Sequence, residues 1–518
     1  MCMHPINWRP CFIFHLSVFT LGLLLKRSIF ESLVASYLLY VPLGGWRYQR
    51  VFVATLLRDL MGLRCLIMIQ LNTYWLIWTR KTFSDMFKST VSKRGLGTVA
   101  IYFEDQIWTF GHLDAYSNKV ANHLLKCGFK RGDVLLLFMN SCPSYVGVWL
   151  GAAKIGVATG LINTNLCKGS LINSIKALNA RGIVVGSLLK ETFEAVKDSG
   201  GFSLEMIWIV DEKSSTPESA YSTSTSSMCS WNIALAQTSP SAPPPLPRIN
   251  NSREHLIYVY TSGTTGLPKA AIVTKLRYTL MVTGVQYSFG IKQSDVIYNP
   301  CHYIIPLVEY AELDKCCFMY WLDCIKYKCT VAQYIGEICR YLLCQPLRIT
   351  DKQHHVRLAF GNGLRSQIWR IFQERFNVKQ IGEFYGATES NANIANMDNK
   401  CGAVGYVSKI IDGIYPLYII KIDPETEQPI RDPVTGLCRI CEPNEPGHLV
   451  ARISSRNPSR MFDGYVSSEA SEKKVIHDVL RKGDLWFASG SLIELIETLV
   501  SWGLIRPKRS VGLWQNGK

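Results

Sequence analysis

The sequence predicts an α/β protein whose large domain carries doubly wound sheets, and three observations support that fold class. From residue 98 to 211, strand-length apolar runs alternate with helix-length amphipathic ones. The strand-length runs are apolar throughout rather than at every second residue, as parallel strands covered on both faces must be. The apolar run His255–Tyr260 leads directly into Thr261–Lys269, a turn of hydroxyls, glycines and one lysine.

Composition narrows the class. A chain of 518 residues has length for two or more domains and ample core. Basic residues exceed acidic ones by sixteen. That excess suits an anionic membrane surface or a polyanionic cofactor. No nucleic-acid recognition motif accompanies it, so no nucleic acid is expected as partner. Mean hydropathy is +0.09, high for a soluble enzyme. The seventeen cysteines are scattered, and the single C-x-x-C, Cys438 and Cys441, has no matching second pair. Structural zinc and a disulfide framework are therefore not expected, and a reducing, cytosol-facing setting is.

The N-terminal region, 1–80, reads as a membrane-anchoring segment. Apolar runs cover 11–25, 29–46 and 60–78. The first is short against the roughly 20 residues a spanning helix needs. The other two contain Glu31 and Arg64, charges that a hydrocarbon core penalises by about 2.5–3.5 kcal/mol. One membrane helix followed by interfacial helices is the expectation. A signal peptide competes, but the n-region holds only Arg9 as a basic residue. Lys26, Arg27, Arg47 and Arg50 would leave the following domain, 81–490, on the cytosolic side.

Within that domain Thr98–Phe103 reads as a strand. Thr109 then caps a helix whose stripe is Leu113, Val120, Ala121, Leu124 and Leu125, and Gly128 ends it. Strand Val134–Met139, helix Pro143–Ile155 and strands Val157–Ile162, Gly182–Val185 and Met206–Val210 continue the alternation. Residues 213–247 are rich in Ser, Thr and Pro and read as a flexible loop.

The stretch Tyr258–Lys269 is the chemical centre. Gly263 and Gly266 permit positive φ, so several backbone N–H groups can converge on one anion. Thr261, Ser262, Thr264 and Thr265 add donors, and Lys269 adds a point charge for phosphate. The glycine spacing, and Pro268 before the lysine, exclude a Walker A loop. A polar strand-to-helix turn is the plainer alternative. Further on, Gly361-Asn362-Gly363 follows strand Val356–Phe360 and allows close backbone approach or simply a tight turn. Strand Gln380–Phe384 delivers Tyr385-Gly386-Ala387-Thr388-Glu389. The Tyr385 ring can lie against a base, Gly386 allows the turn, Thr388 can donate to phosphate, and Glu389 can hold Mg²⁺ beside phosphates.

The string Tyr258–Lys269 resembles the signature of the adenylate-forming acyl-CoA synthetases. Its extension through Ala270, Ala271, Ile272, Val273, Leu276, Arg277 and Tyr278 is similar to the fatty acid transport protein branch, the very-long-chain acyl-CoA synthetases. Trp108 to Asn122, Asp295–Tyr298, Trp321–Thr330, Gly402–Gly405, Glu445–Gly447 and Phe462–Tyr465 extend the likeness over most of 98–487. The resemblance implies ATP, Mg²⁺ and CoA as cofactors or co-substrates. Thr261, Lys269 and Glu389 would be catalytic, and Gly361–Gly363 would lie by the adenine. It implies long-chain fatty acid and membrane lipid as partners, at the endoplasmic reticulum or plasma membrane; homo-oligomerisation stays open.

The chain departs from that pattern in three places. Residues 299–320 are shorter than the family's and mostly unrelated, though His302 is present. Ser491 stands where the family carries an aspartate that accepts from both ribose hydroxyls, and Asp484 reads as a turn residue. After Ser491 the family continues into a small C-terminal domain bearing a catalytic lysine. Here 491–518 reads as a divergent tail, with the small C-terminal domain missing. Two functions are expected from these facts. One is a fatty acid–CoA ligase linked to fatty acid uptake. The other is a catalytically impaired membrane-bound relative that binds fatty acid or nucleotide.

Overall fold

The computed structural model describes residues 46–198, 200–212, 229–247, 253–262, 267–300, 319–408, 413–497 and 502–507, with residues 17, 20, 28, 30, 31 and 34. The expected apolar runs at 11–25 and 29–46, and 301–318 of the shortened segment, lie outside the described residues, apart from those single positions. The run at 60–78 falls in helix α1, Trp46–Thr79. Over Thr55–Thr79 it is long and apolar enough to cross a membrane, by length and composition.

The first large sheet has seven strands: β3 (Val134–Phe138), β4 (Ala158–Leu161), β5 (Gly182–Gly186), β6 (Met206–Val210), β7 (Cys229–Ser230), β8 (His255–Ser262) and β9 (Pro268–Thr274), in the order β7-β6-β5-β3-β4-β8-β9. All pairs are parallel except β8–β9. The central strand shows why its residues are apolar throughout. Leu135 and Leu137 pack with α2 (Phe110–Lys126) and α3 (Pro143–Lys154), while Leu136 and Phe138 pack with the helices Lys168–Ala177 and Lys190–Lys197. Helices on both faces leave no position for a polar side chain. Thr109 caps α2 as expected, its Oγ1 accepting from His112 N at 3.1 Å.

A second sheet joins β10 (Ile297–Tyr298), β11 (Val331–Ile335), β12 (Leu358–Asn362), β13 (Gln380–Tyr385) and β14 (Ile394–Asn396), the first four parallel. Helix α4 (Lys275–Phe289) leaves β9 and seats Phe289 against Val331, Leu358 and Phe360, so one helix ties the two sheets. A third, antiparallel sheet contains β15 (Gly405–Tyr406), β16 (Leu417–Ile420), β17 (Pro446–Arg452), β18 (Val475–His477), β19 (Leu485–Glu497) and β20 (Trp502–Pro507).

Three expectations are corrected. Thr98–Phe103 does not join the parallel sheet: β1 (Val99–Phe103) pairs antiparallel with β2 (Gln106–Thr109) as a hairpin. Residues 229–247, part of the expected loop, are built into the domain. Trp231 is fully buried and donates to the Tyr116 hydroxyl, and the carbonyls of Ser239, Pro240 and Ser241 accept from Asn122 and Asn118. One large aromatic ring anchors a stretch whose average composition is polar. Residues 491–497 and 502–507, expected as a tail, complete β19 and form β20, with Ile493 and Ile505 fully buried.

Candidate active site

The hydroxyl-rich turn lies in a β-hairpin, not between a strand and a helix. Thr261 and Lys269 are directly cross-strand, and Ser262 faces Pro268 across the same ladder. Gly263, Thr264, Thr265 and Gly266, the tip between them, lie outside the described residues. β8 runs parallel to β4, so the tip follows the carboxyl end of a parallel strand, the end at which open α/β sheets bind ligands. Lys269 is half-buried and close enough to Glu469 to help hold that exposed carboxyl below its usual range, after the larger effect of the Lys473 ion pair.

Tyr258 behaves differently from its neighbours. Its side chain is buried among the sheet's core residues and its hydroxyl meets His255 Nδ1 at 2.7 Å. It is spent on the fold rather than on the turn.

The second sheet brings Gly361, Asn362, Gly363 and Tyr385–Glu389 to the ends of adjacent parallel strands. The glycine turn needs its glycines: a Cβ on Gly361 would stand 2.0 Å from the Tyr334 carbonyl oxygen, and Gly363 has φ +84°. The turn is fastened from below by Glu383. This carboxyl, fully buried, accepts from the N–H of Gly363 and from the N–H of Leu364 at 3.1 Å on one oxygen. Its other oxygen takes the Tyr334 hydroxyl at 2.5 Å. Burial pushes the Glu383 carboxyl up to about 8.

Glu389 is buried at the end of the Tyr385–Glu389 segment. The Tyr465 hydroxyl lies beside both Glu389 and Thr261; burial, then the adjacent carboxylate, pushes this phenol well above its ordinary range. Three elements thus meet: the β8–β9 hairpin, the loop after β13, and the loop carrying Tyr465. That last loop is pinned to β9. Ala271 bridges Tyr465, Ile272 N donates to Gly464 O at 3.0 Å, and Val466 N donates to Ala270 O at 3.0 Å. The Asp463 carboxylate takes the Thr274 hydroxyl at 3.0 Å and Arg253 at 3.3 Å.

Arg277, on the first turn of α4, lies beneath this junction. It is 5% exposed, donates to the Ala387 carbonyl at 3.3 Å, and faces the charges of Asp463 and Glu389. Burial lowers its guanidinium from the usual arginine value. Among the described residues the buried Arg277 Nε at this junction has no hydrogen-bond partner. A buried donor without a partner is costly.

Tyr385 is half-buried, with its hydroxyl beside Ser489 and Ser491. The residue that replaces the family's aspartate therefore stands next to the ring expected to meet a base. Asp484 accepts from the N–H groups of Val479, Leu480 and Arg481, at 2.8, 3.2 and 3.0 Å, which makes it the turn residue it was read to be.

The structure thus brings Thr261, Lys269, Tyr385, Gly386, Ala387, Thr388 and Glu389 into one region. Tyr334, Glu383, Asp463 and Tyr465 had no site role in the sequence reading, and Arg277 entered only as part of a resemblance. The available signal was a charge inside an apolar element: Glu383 within β13, Arg277 within α4. A cavity of about 660 Å³ lined by Leu343, Leu347, Ile349 and Ile371 shares none of these residues. Among the described residues no group of three His, Cys, Asp or Glu could hold a metal.

Residues 87–465 match the family described as AMP-binding enzyme. Long-chain fatty acid transport protein 1 of Rattus norvegicus is 40% identical over 502 residues, which cover 93% of this chain and 76% of that protein. Among solved structures, an anthranilate CoA ligase in complex with anthranoyl-AMP superposes with a TM-score of 0.64 at 17% identity, covering 82% of this chain and 77% of its own. A long-chain-fatty-acid-CoA ligase from Archaeoglobus fulgidus gives 0.62 at 18% identity, covering 83% and 84%. At such identities these two likenesses concern the fold.

Proposed function

The chain belongs to the AMP-binding enzymes and, within them, to the long-chain fatty acid transport protein family, and from that premise we propose that it is an ATP-dependent long- or very-long-chain fatty acid–CoA ligase held at a membrane by residues 1–80. In the first step a carboxylate oxygen of the fatty acid attacks the α-phosphorus of ATP. A P–O bond forms, the bond to the β-phosphate's bridging oxygen breaks, and pyrophosphate leaves. In the second step the CoA sulfur attacks the acyl carbon, and the C–O bond to AMP breaks as the thioester forms.

The hydroxyls and amides of Thr261–Gly266 and the Lys269 ammonium bind the phosphates and hold charge as pyrophosphate departs. The ring of Tyr385 and the turn Gly361–Gly363 take the adenine, and Thr388 donates to phosphate. Glu389 is the residue that would hold Mg²⁺, which would neutralise phosphate charge. One buried carboxylate suits an ion that keeps most of its oxygen ligands from phosphate and water. The observation that carries the reading is the meeting of Thr261, Tyr465 and Glu389 from three separate elements. The test is to measure palmitate-dependent ATP–pyrophosphate exchange and, separately, palmitoyl-CoA formation by the full chain. Both are expected. Absence of both, with fatty acid binding intact, would favour the non-catalytic alternative.

Ser491 makes a further prediction. A serine hydroxyl beside Tyr385 cannot match a carboxylate accepting two charge-assisted hydrogen bonds, each worth about 1.5–3 kcal/mol. Ser491→Asp should tighten ATP binding by roughly tenfold or more, read by calorimetric titration. An unchanged Kd would remove the ribose argument.

A further inference from the structure

Helix α1 is amphipathic the wrong way round for a helix in water. Its inward face is largely polar: Thr55, Arg58, Asp59 and Thr73 are buried against the domain, beside Cys65 and Leu76. That face is specifically fastened. The Asn72 amide donates to the Tyr287 hydroxyl at 2.8 Å, the Tyr406 hydroxyl donates to the Arg58 carbonyl at 3.2 Å, and the Arg58 guanidinium lies 4.5 Å from the centre of the Tyr406 ring. A Cβ on Gly62 would stand 1.8 Å from the Tyr406 hydroxyl, so the helix backbone is pressed close. The outward face is apolar. Leu57, Leu60, Ile67, Leu71, Trp75 and Trp78 recur at helical spacing as one stripe, with Leu57 77% and Trp78 81% exposed. An apolar stripe of this length on one helix exceeds what soluble monomers leave exposed singly, and marks a contact surface.

From this arrangement we infer that the outward stripe of α1 is the face on which the folded domain rests on an anionic phospholipid bilayer, with the helix lying along the surface rather than crossing it. The inference deepens the membrane placement proposed above and depends on it. Four features select lipid. The exposed charge inside the stripe is basic, Arg64, and Arg80 is exposed just beyond the helix; no exposed acidic residue interrupts the stripe. The chain as a whole carries a formal charge of +16, which an anionic surface attracts. Trp75 and Trp78 cluster at one end, with the Lys81 ammonium 4.3 Å from the centre of a Trp75 ring; aromatic side chains of this kind settle at headgroup depth. The sequence preceding α1, residues 29–46, is itself apolar, so the stripe continues a membrane-seeking run. Crossing is disfavoured because it would strip Arg58, Asp59 and Asn72 from their partners and place them in hydrocarbon. A helix lying flat buries its stripe and keeps those contacts.

The test uses the full chain bound to vesicles of equal parts phosphatidylcholine and phosphatidylserine. A benzophenone amino acid is placed singly at Leu57, Leu71, Trp78 and, as an exposed apolar control elsewhere on the domain, Leu347. The expected result is flotation with the vesicles and phospholipid adducts at 57, 71 and 78, with none above background at 347. Flotation with adducts at 347 alone, or with the stripe crosslinked to residues 1–45 or to a second copy, would overturn the inference while leaving the membrane placement standing. Failure to float would overturn both.

Discussion

Glu389→Gln is expected to lower palmitate-dependent ATP–pyrophosphate exchange by about 10²–10³. The amide keeps the shape of the side chain and its place beside Tyr465, but it removes the negative charge from a buried position facing Arg277. A neutral oxygen is a poor ligand for a hard divalent cation. The variant's Mg²⁺ requirement should therefore rise, while its KM for palmitate holds. Exchange at the parent rate with an unchanged Mg²⁺ dependence would show that Glu389 has no part in the reaction.

The second large effect concerns Glu383, which touches no expected substrate atom but fastens the Gly361–Gly363 turn. Replacing it with leucine leaves the N–H groups of Gly363 and Leu364 and the Tyr334 hydroxyl without their acceptor. At about 1–3 kcal/mol for each buried group left unpaired, the expected loss of stability is roughly 3–9 kcal/mol. A fall in Tm and weaker ATP binding should appear together. Glu383→Gln keeps an acceptor oxygen for the two N–H groups and loses only the acceptor facing the Tyr334 hydroxyl, so both properties should fall less than in the leucine variant.

That amide variant also isolates a pH dependence. The Glu383 carboxyl is raised from 4.5 to about 8, chiefly by burial. Below 4.5 it is protonated folded and unfolded alike. Between 4.5 and about 8 the folded state holds a proton that the unfolded state has released. Stability from this group is therefore full at low pH and is lost as pH rises to about 8, by up to about 5 kcal/mol. Thermal unfolding followed across that window should show the parent losing stability relative to Glu383→Gln. Parallel curves would contradict the assignment.

The parallel sheets were legible because strands covered on both faces leave a run of apolar residues, as in Val134–Phe138. The hydroxyl-rich stretch and Tyr385–Glu389 stood out by residue types that can serve a phosphate and by a family resemblance, although hydroxyl- and glycine-rich turns are common in themselves. What the sequence hid was long-range. Nothing local says that Phe462–Tyr465 docks on β9, nor that Tyr465 stands beside Thr261 and Glu389, since those contacts join residues 194 (271 to 465), 204 (261 to 465) and 76 (389 to 465) positions apart. Trp231 was hidden by the polar average of its neighbours. Tyr258 was misplaced among the binding residues because proximity in sequence to the turn says nothing about which face of β8 a side chain takes; alternation puts it in the core. The strand β20 was missed because the family resemblance had run out before it, although its own Ile505 is fully buried.

The central claim is that the β8–β9 hairpin and the segment after β13 form one ATP site. It is tested most directly by photolabelling the full chain with an azido-adenine analogue of ATP in the presence of Mg²⁺ and mapping the labelled peptide. The account predicts label in the peptides holding Gly361–Gly363 or Tyr385, abolished by excess ATP and weakened by Lys269→Ala. Label confined to other parts of the chain, or insensitive to ATP, would contradict it.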